Sequence, residues 1–329
     1  MTRANASEKL ELIRLVEESP LPVKQTLTEL NLARSTFYRW YQRYQAAGYD
    51  GLHNESCQPR RFWNRIPDSV REHVVEVALA QPGLSPRELA WHLTDTEGYF
   101  LSESSVYRIL KAYDLVTSPA FILLSAHDKF PHPTRRVNEL WQTDFTQFKV
   151  VGWGWYYLST VIDDYSRYII AFKLTTGMAA TDVQDTLEQA IAKTGVTQVQ
   201  VRHRPRLLSD NGPAFISQEL ATFLADKHIQ HIHSQPYHPM TQGKIERYHR
   251  SLKNVICLDN YYFPWQLEQA IAEFVEYYNT ARYHEALDNM TPADVFFGKA
   301  KSVRDQRAAI KLATLQLRRA NHAALSSVV

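Results

Sequence analysis

The strongest constraint on the fold is a change in amino-acid composition near Asn138. From there, three stretches rich in β-branched and aromatic residues follow one another: LWQTDFTQFKV, WYYLSTVIDDYSRYIIAFKLT and VQVRHRPRLLSD. This composition is typical of β-strands. Turn residues at 152–154 and 163–167 predict that the first three strands run antiparallel.

Helical patterns alternate with the later strands. The predicted order after the third strand is a helix over 180–193, a strand ending at Leu208, a helix over 217–227, a short strand over 229–233 and helices to about Tyr278. Strands interleaved with helices form a sheet with helices packed on it. The sequence therefore predicts an α/β fold with a mixed sheet over residues 138–298.

The N-terminal segment 1–65 has a different, helical pattern. Residues 8–48 show helical spacing of apolar side chains with a break at 31–33, which is the layout of a helix-turn-helix. The second helix of such a unit offers its first polar side chains to the major groove. The predicted DNA contacts are Arg34, Ser35, Thr36, Tyr38 and Arg39. The alternative is a small helical bundle with a solvated polar face.

A second all-α unit is predicted over residues 66–114. Ser85 and Glu88 form a capping box with proline at the first helical position, so a helix should begin there and run through Leu93. A further helix follows in LSESSVYRILKAYDL, which gives a second helix-turn-helix. Its predicted DNA contacts are Ser104, Ser105, Tyr107, Arg108 and Lys111. Residues 115–137, which contain three prolines, are predicted to be a linker.

The net charge of +2 conceals an uneven distribution. Residues 1–65 carry ten Lys and Arg against seven Asp and Glu, residues 66–298 carry 20 against 27, and residues 299–329 carry seven against one. Basic ends favour contact with a polyanion, and an acidic centre favours bound cations. The basic C-terminal segment is predicted to be a helix that lies on DNA or packs on a partner subunit, and the sequence leaves both open.

Composition also excludes several classes of protein. The chain has no apolar run long enough to span a bilayer and no signal-peptide pattern at its start. We expect a cytoplasmic protein without membrane partners. Its two cysteines, Cys57 and Cys257, are too few for a disulfide framework or a thiolate zinc site.

Three carboxylates have the placement of a metal site. Asp144 lies in the first predicted strand, Asp210 just after the fourth, and Glu246 on a predicted helix, GKIERYHRSLK. Carboxylates suit Mg²⁺, and two ions about 3.5–4 Å apart can support in-line phosphoryl displacement. Most acidic residues are merely solvated, so the spacing alone does not establish a site.

Other side chains have a structural alternative to metal binding. Asp163 and Asp164 lie in a turn, where aspartate commonly caps backbone amides, and we favour that role for both. Four histidines, at positions 228, 231, 233 and 238, match no compact ligand spacing.

The sequence around the three carboxylates is similar to that of a known family. WQTDFT, VIDDYSRY, LLSDNGPAF, HSQPYHPMTQGKIERYHRSLK and EYYNTARYHEALDNMTPADVF resemble, in this order, the catalytic core of retroviral integrases and of bacterial insertion-sequence transposases of the DDE class. The 35 residues between Asp210 and Glu246 equal the family's usual spacing. The resemblance implies an RNase H-like core, two Mg²⁺ or Mn²⁺ ions held by Asp144, Asp210 and Glu246, and strand transfer through a 3′-hydroxyl.

The resemblance also implies contacts between DNA and the helix that carries Glu246. Arg250 and Lys253 match positions at which the family keeps basic residues against DNA. We extend the prediction to further polar side chains of the same helix, and the full set is Lys244, Arg247, His249, Arg250 and Lys253.

The N-terminal part resembles insertion-sequence transposases more loosely, and it lacks the zinc domain of retroviral integrases. We therefore expect a bacterial, nucleoid-associated transposase that acts on terminal inverted repeats and target DNA. It should work as a homo-oligomer, at least a dimer, because two element ends are processed together. The alternatives are a DNA-binding regulator with a silent core, which the intact carboxylates disfavour, and a plain metal-dependent nuclease, which the site-reading helices disfavour.

Overall fold

The structure is a computed structural model, and it describes residues 5–53, 62–116, 134–198, 200, 203–234 and 243–326. The chain divides into two compact units, Met1–Trp63 and Asn64–Val329. The boundaries predicted for a linker and a separate C-terminal segment stay predictions, but the second helical group, the sheet and the last helix pack together in the larger unit. None of the helices in the described ranges is both long and apolar enough to cross a membrane.

The described residues of the smaller unit form three α-helices, α1 (Ala6–Glu18), α2 (Val23–Glu29) and α3 (Arg34–Ala47), followed by a short 3-10 helix over Gly48–Leu52. Their core contains Ile13, Leu27 and Phe37. The predicted break between α2 and α3 is confirmed, since Asn31 adopts the left-handed conformation at φ 50°. Leu32 donates its backbone N–H to the Leu27 carbonyl at 2.9 Å, which closes the C-terminus of α2.

The larger unit begins with α4 (Asp68–Ala80), α5 (Pro86–Glu97) and α6 (Glu103–Ala112). The predicted capping box is present: the Ser85 hydroxyl accepts from the Glu88 N–H at 3.3 Å, and the Glu88 carboxylate accepts from the Ser85 N–H at 3.0 Å. Apolar side chains from all three helices, including Val74, Leu89 and Val106, are fully buried between them.

In the part of the chain that the structure describes, five strands form one mixed sheet in the order β3-β2-β1-β4-β5. Their bounds are β1 (Leu140–Val150), β2 (Gly154–Asp163), β3 (Ile169–Thr175), β4 (Arg206–Ser209) and β5 (Gln230–His233). The first three are antiparallel, as predicted, and β4 and β5 join them in parallel pairing. Because side chains alternate between the faces of a strand, Val161 and Ile162 enter the two different cores.

Helices cover both faces of this sheet. α7 (Ala180–Thr194) and α8 (Gln218–Asp226) share one core with Trp141, whereas α9 (Gly243–Ile256) and α10 (Pro264–Thr280) share the other with Phe148. The predicted apolar face of α9 is confirmed, since Ile245, Tyr248 and Leu252 are buried against the sheet.

The fourth strand is shorter than the sequence indicated. It begins at Arg206, although the β-rich stretch begins at 199. Pro205 stands immediately before it, and proline has no N–H to donate to a strand ladder. The strand ends at Ser209, so Asp210 lies one residue beyond it, as predicted.

The chain ends in a short helix, α11 (Pro292–Phe296), and a long one, α12 (Ala300–Ser326). The helical prediction for the basic C-terminal segment is thus confirmed. In the loop before α11, Asp288 and Asn289 both adopt left-handed backbone angles, which Asp and Asn tolerate better than most residues.

His284 lies in the same region and is surrounded by cations. Its ring packs edge-on against Tyr278 with centroids 4.8 Å apart. Burial, together with the positive charges of Arg282, Arg167 and Arg87, lowers the pKa of His284 from 6.5 to about 3. The ring is therefore neutral in the folded protein at ordinary pH.

The His284→Gln substitution should flatten the acid dependence of stability. The folded-state pKa lies below the unfolded value, so the stabilisation from neutral His284 is complete above pH 6.5 and is lost as the pH falls towards 3. When one proton is taken up only on unfolding, the free energy of unfolding changes by about 1.4 kcal/mol per pH unit. Urea unfolding between pH 6 and 4 should show that difference in slope between the two proteins, and equal slopes would contradict it.

Candidate active site

The parallel pairing of β1 with β4 brings Asp144 and Asp210 to equivalent positions. The last paired residues are Gln142 on β1 and Leu208 on β4. Asp144 lies two residues further along β1, and Asp210 lies two residues further along the chain, just past the end of β4. Neighbouring strands are about 4.8 Å apart, and residues two apart on a strand share a face. The two aspartates thus follow paired positions on neighbouring central strands, and their juxtaposition in a metal site stays a prediction.

Backbone amides orient both aspartates. Asp144 Oδ1 accepts from the Phe145 N–H at 2.8 Å, and Asp210 Oδ1 accepts from the Gly212 N–H at 2.9 Å. A Cβ atom at Gly212 would lie 3.0 Å from Asp210 Oδ1, so a larger residue would press on this carboxylate. In both cases one oxygen is held by the backbone.

The start of α9 is bound directly to β1, two residues before Asp144. Gln142 is fully buried, and its Oε1 accepts from the Ile245 N–H at 3.2 Å. Its Nε2 donates to Asp164 Oδ1 at 2.7 Å, and Asp164 Oδ2 accepts from Lys244 Nζ at 2.6 Å. We call Gln142, Asp164 and Lys244 the latch, because they fix the first turn of α9, where Glu246 lies, beside β1.

The structural role predicted for Asp163 and Asp164 agrees with these contacts. Asp163 accepts hydrogen bonds from the Asn138 N–H at 2.8 Å, the Ser166 N–H at 2.8 Å and the Ser166 hydroxyl at 2.6 Å. Burial raises the pKa of Asp163, and these hydrogen bonds oppose the rise. Its neighbour Asp164 is occupied by the latch and by the Thr134 hydroxyl at 2.6 Å.

Two side chains that the sequence predicts to contact DNA are largely buried in the structure. Lys244 is paired with Asp164, and its side chain is only 10% exposed. His249 is also buried, and its Nδ1 lies 3.5 Å from Asp144 Oδ2. The physical reason is helical spacing: His249 is four residues after Ile245 and three before Leu252, so it lies at the edge of the buried stripe. The structure thus assigns both side chains to the interior.

His249 is buried beside Asp144, and the predicted contact of this side chain with DNA stays a prediction. Its Nε2 is buried and has no hydrogen-bond partner in the part of the chain that the structure describes. His249 Nδ1 lies 3.5 Å from Asp144 Oδ2, so α9 approaches the Asp144 carboxylate through this ring.

The carboxylates have the chemistry of a site for a hard divalent cation. Asp144, Asp210 and Glu246 offer only oxygen, which Mg²⁺ prefers, and the second oxygen of each aspartate is not held by the amide that binds the first. Glu246 itself is exposed on α9. In the described ranges, no three His, Cys, Asp or Glu side chains already stand close enough together to form a metal site.

The histidines near Asp210 pack with each other. His231 Nε2 lies 2.8 Å from Ser209 Oγ, and the His231 and His233 rings are 4.0 Å apart. Burial and the neighbouring His233 lower the pKa of His231 to about 4. His238 lies outside the described residues.

The other predicted DNA contacts lie on accessible faces. On α3 and α6 these side chains are exposed or half-buried, with Phe37, Val106 and Ile109 turned into the cores instead. On α9, Arg247 and Arg250 are exposed and Lys253 is half-buried. Their contacts with DNA remain predictions.

Comparison with protein families agrees with this geometry. Residues 134–239 match the family described as integrase core domain, and residues 227–292 match a second family with the same description. This chain carries an integrase core domain. Homeodomain-like domain families match residues 3–52 and 36–110. The predicted fold class, an RNase H-like mixed-sheet core preceded by all-α helix-turn-helix domains, is confirmed.

Relatives of the integrase core occur in mobile elements and viruses. The chain is 29% identical over 160 residues to the putative transposase InsK of insertion sequence IS150 from Escherichia coli K12, a match that covers 48% of this chain and 54% of the relative. It is 34% identical over 114 residues to the Gag-Pro-Pol polyprotein of mouse mammary tumor virus, covering 35% of this chain and 6% of the polyprotein. The chain therefore spans about half of the first relative and a small part of the second.

Among solved structures, the catalytic core domain of HTLV-2 integrase in complex with magnesium is similar at 25% identity with a TM-score of 0.40. That match covers 49% of this chain and 97% of the other.

The Asp164→Asn substitution should destabilise the larger unit strongly. It would leave the buried Lys244 ammonium without its counter-charge, and breaking a buried pair on one side costs about 3–5 kcal/mol. Asp185→Asn is the matched control, because Asp185 pairs with Lys173 at the surface and such pairs contribute at most about 1 kcal/mol. Urea unfolding measures both, and equal losses would contradict a structural role for the latch.

Proposed function

We propose that this chain is a transposase that binds the ends of an insertion sequence and catalyses metal-dependent DNA cleavage and strand transfer. The observation that supports the proposal is the parallel pairing of Gln142 with Leu208, two residues before Asp144 and Asp210, together with the hydrogen bond from the Ile245 N–H to Gln142 at the start of the helix that carries Glu246. Supporting it are the integrase core match and the relationship to the IS150 protein.

In the proposed reaction a 3′-hydroxyl of the element attacks a phosphodiester of the target. A bond forms between the attacking oxygen and phosphorus, and the bond to the leaving 3′-oxygen breaks. Asp144, Asp210 and Glu246 are the proposed ligands of two Mg²⁺ or Mn²⁺ ions, which when bound would activate the attacking oxygen and stabilise the leaving one.

The chain's own residues would hold the site in position for that reaction. The amides of Phe145 and Gly212 orient the two aspartates, and the latch holds the first turn of α9 against β1. Arg250 and Lys253 lie one and two turns beyond Glu246, where they would bind the phosphate backbone of the DNA.

Site recognition is proposed for α3 and α6, the second helices of the two helix-turn-helix units. Because two element ends must be processed together, we propose that the protein acts as a homo-oligomer, at least a dimer, on terminal inverted repeats and target DNA at the bacterial nucleoid. A DNA-binding regulator with a silent core would have no need of Asp144, Asp210 and Glu246 together, and the presence of all three carboxylates favours the enzyme.

The first test replaces each proposed metal ligand by its isosteric amide. Asp144→Asn, Asp210→Asn and Glu246→Gln should each reduce cleavage and joining of end DNA with Mg²⁺ by more than the roughly 10–100-fold typical of groups that only support a ligand. End binding, measured by gel shift, should be retained. The control is Asp226→Asn, at the exposed end of α8.

Full strand transfer by any one of the three variants would sink the assignment. Binding without cleavage by the wild-type chain in Mg²⁺ and in Mn²⁺ would favour the regulator instead, and cleavage of random DNA without joining would favour the nuclease.

The second test concerns phosphate contacts on α9. Each neutralised contact on duplex DNA contributes about 0.9 to the slope of log K against log salt. Arg250→Ala combined with Lys253→Ala should therefore flatten the slope by up to about 1.8 while leaving sequence preference unchanged. Lys173→Ala with Lys193→Ala, on β3 and α7, removes the same charge elsewhere. If both double variants gave the same slope of log K against log salt, the DNA would not contact α9 through Arg250 and Lys253.

A further inference from the structure

The C-terminal helix turns charged side chains inward. Arg307, Thr314 and Arg318 of α12 are buried, with Arg307 7% and Arg318 6% exposed. A buried guanidinium is costly unless its donors are satisfied. The partners of these two arginines therefore determine what α12 does in the fold.

Arg307 joins α5 to the loop before α11. Its Nε and one terminal nitrogen form a fork with Asp95, at 2.8 and 2.6 Å, and its guanidinium lies 4.3 Å above the Trp91 ring. The terminal nitrogens also donate to the carbonyls of Asp288 at 3.2 Å and Asn289 at 2.9 Å. One side chain thus connects the second helix-turn-helix with the integrase core.

Arg318 and Thr314 hold the segment between α5 and α6. Arg318 donates to the Phe100 carbonyl at 2.9 Å, to Asn64 Oδ1 at 2.9 Å and to the Tyr99 hydroxyl at 3.0 Å. The Thr314 hydroxyl accepts from the Phe100 N–H at 3.0 Å. Phe100 lies only three residues before α6 begins, so these bonds fix the entry to that helix.

Direct contacts between α5 and the core reinforce the same arrangement. Arg87 donates to Asn289 Oδ1 at 2.6 Å. Burial and the neighbouring Asp95 carboxylate raise the pKa of Tyr283, which keeps its hydroxyl protonated beside Asp95. The module α4–α6 is consequently held against the core by α12 and by the loop at 288–289.

We propose that Arg307 and Arg318 determine where the DNA is cut, by fixing the distance between the bases that α6 reads and the phosphodiester held at Asp144 and Asp210. They are positioning residues and touch no DNA in this proposal, which rests on the proposed function. The exposed face of α6 carries Ser104, Tyr107 and Arg108, and α12 holds that face at a set distance from β1. Successive nucleotides of a strand are about 3.4 Å apart along the duplex, so a shift of that size moves the cut by one nucleotide.

The test uses the full chain with Arg307→Lys and Arg318→Lys combined. Lysine keeps the charge but cannot form the planar fork. Arg319→Lys is the matched control, because Arg319 is exposed on the same helix, whereas the exposed Arg304 pairs with Asp288 in the loop at 288–289. Asp95→Asn is a second, isosteric variant that weakens the Arg307 fork, and it is used if the double variant does not fold by circular dichroism.

Two measurements are made on each protein. Cleavage of end DNA is mapped to the nucleotide, and the distance between spin labels at positions 103 on α6 and 147 on β1 is measured by electron resonance after Cys57 and Cys257 are replaced by serine. Wild type and control should cut at one phosphodiester and give one narrow distance. In the double variant, the distribution of label distances should broaden by about 3.4 Å or more, and the cuts should spread over neighbouring nucleotides. End binding should be unchanged.

A single cut position in the double variant overturns the inference, whether or not the label distance broadens. If the wild-type chain cuts no end DNA, the proposed function fails and this inference fails with it. The two failures are distinguishable. The inference fails alone when the wild-type chain cleaves end DNA accurately and the double variant does so too, whereas the proposed function fails when the wild-type chain does not cleave.

Discussion

The pairing of β1 with β4 is the interaction on which the candidate site depends. Only three residue pairs, from Leu140 with Arg206 to Gln142 with Leu208, form the ladder, yet they set the register of the strand segments that lead to Asp144 and Asp210. Register has a strong effect here, because a slip of one residue would turn one carboxylate to the opposite face. Trp141 and Leu207, both fully buried, lie within this pairing, so the hydrophobic core resists such a slip.

The third carboxylate depends on a polar contact instead. Glu246 belongs to a helix whose apolar face packs on the sheet, and packing alone allows a helix some freedom to slide. Gln142 removes that freedom at the first turn by binding the Ile245 N–H, and Asp164 supports Gln142 from the other side. Buried polar groups that are fully satisfied specify one arrangement better than apolar contacts do.

Local patterns allowed much of this fold to be predicted. The capping box at Ser85, the break at Asn31 and the apolar stripe of α9 all depend on residues within a few positions of each other, and all are present. The aspartates were recognisable because their motifs resemble those of a known family.

Contacts between distant parts of the chain could not be predicted in the same way. Lys244 looks like an exposed basic residue of a DNA-binding helix, and nothing near it in sequence indicates that its ammonium donates a hydrogen bond to Asp164, 80 residues earlier. Likewise, the basic composition of α12 gave no sign that two of its arginines are buried. His249 lies at the border between two helical faces, where spacing alone does not decide burial.

The hydrogen bonds of Arg307 and Arg318, which we call the brace, also have a consequence for the order in which the chain folds. Its bonds connect Arg318 with Asn64 and Arg307 with Asp95 across 254 and 212 residues of sequence. Contacts of such separation form late, because the entropy of closing the intervening chain must be overcome first. During synthesis the α4–α6 module and the sheet leave the ribosome before α12, so a nascent or truncated chain holds all three carboxylates without the brace.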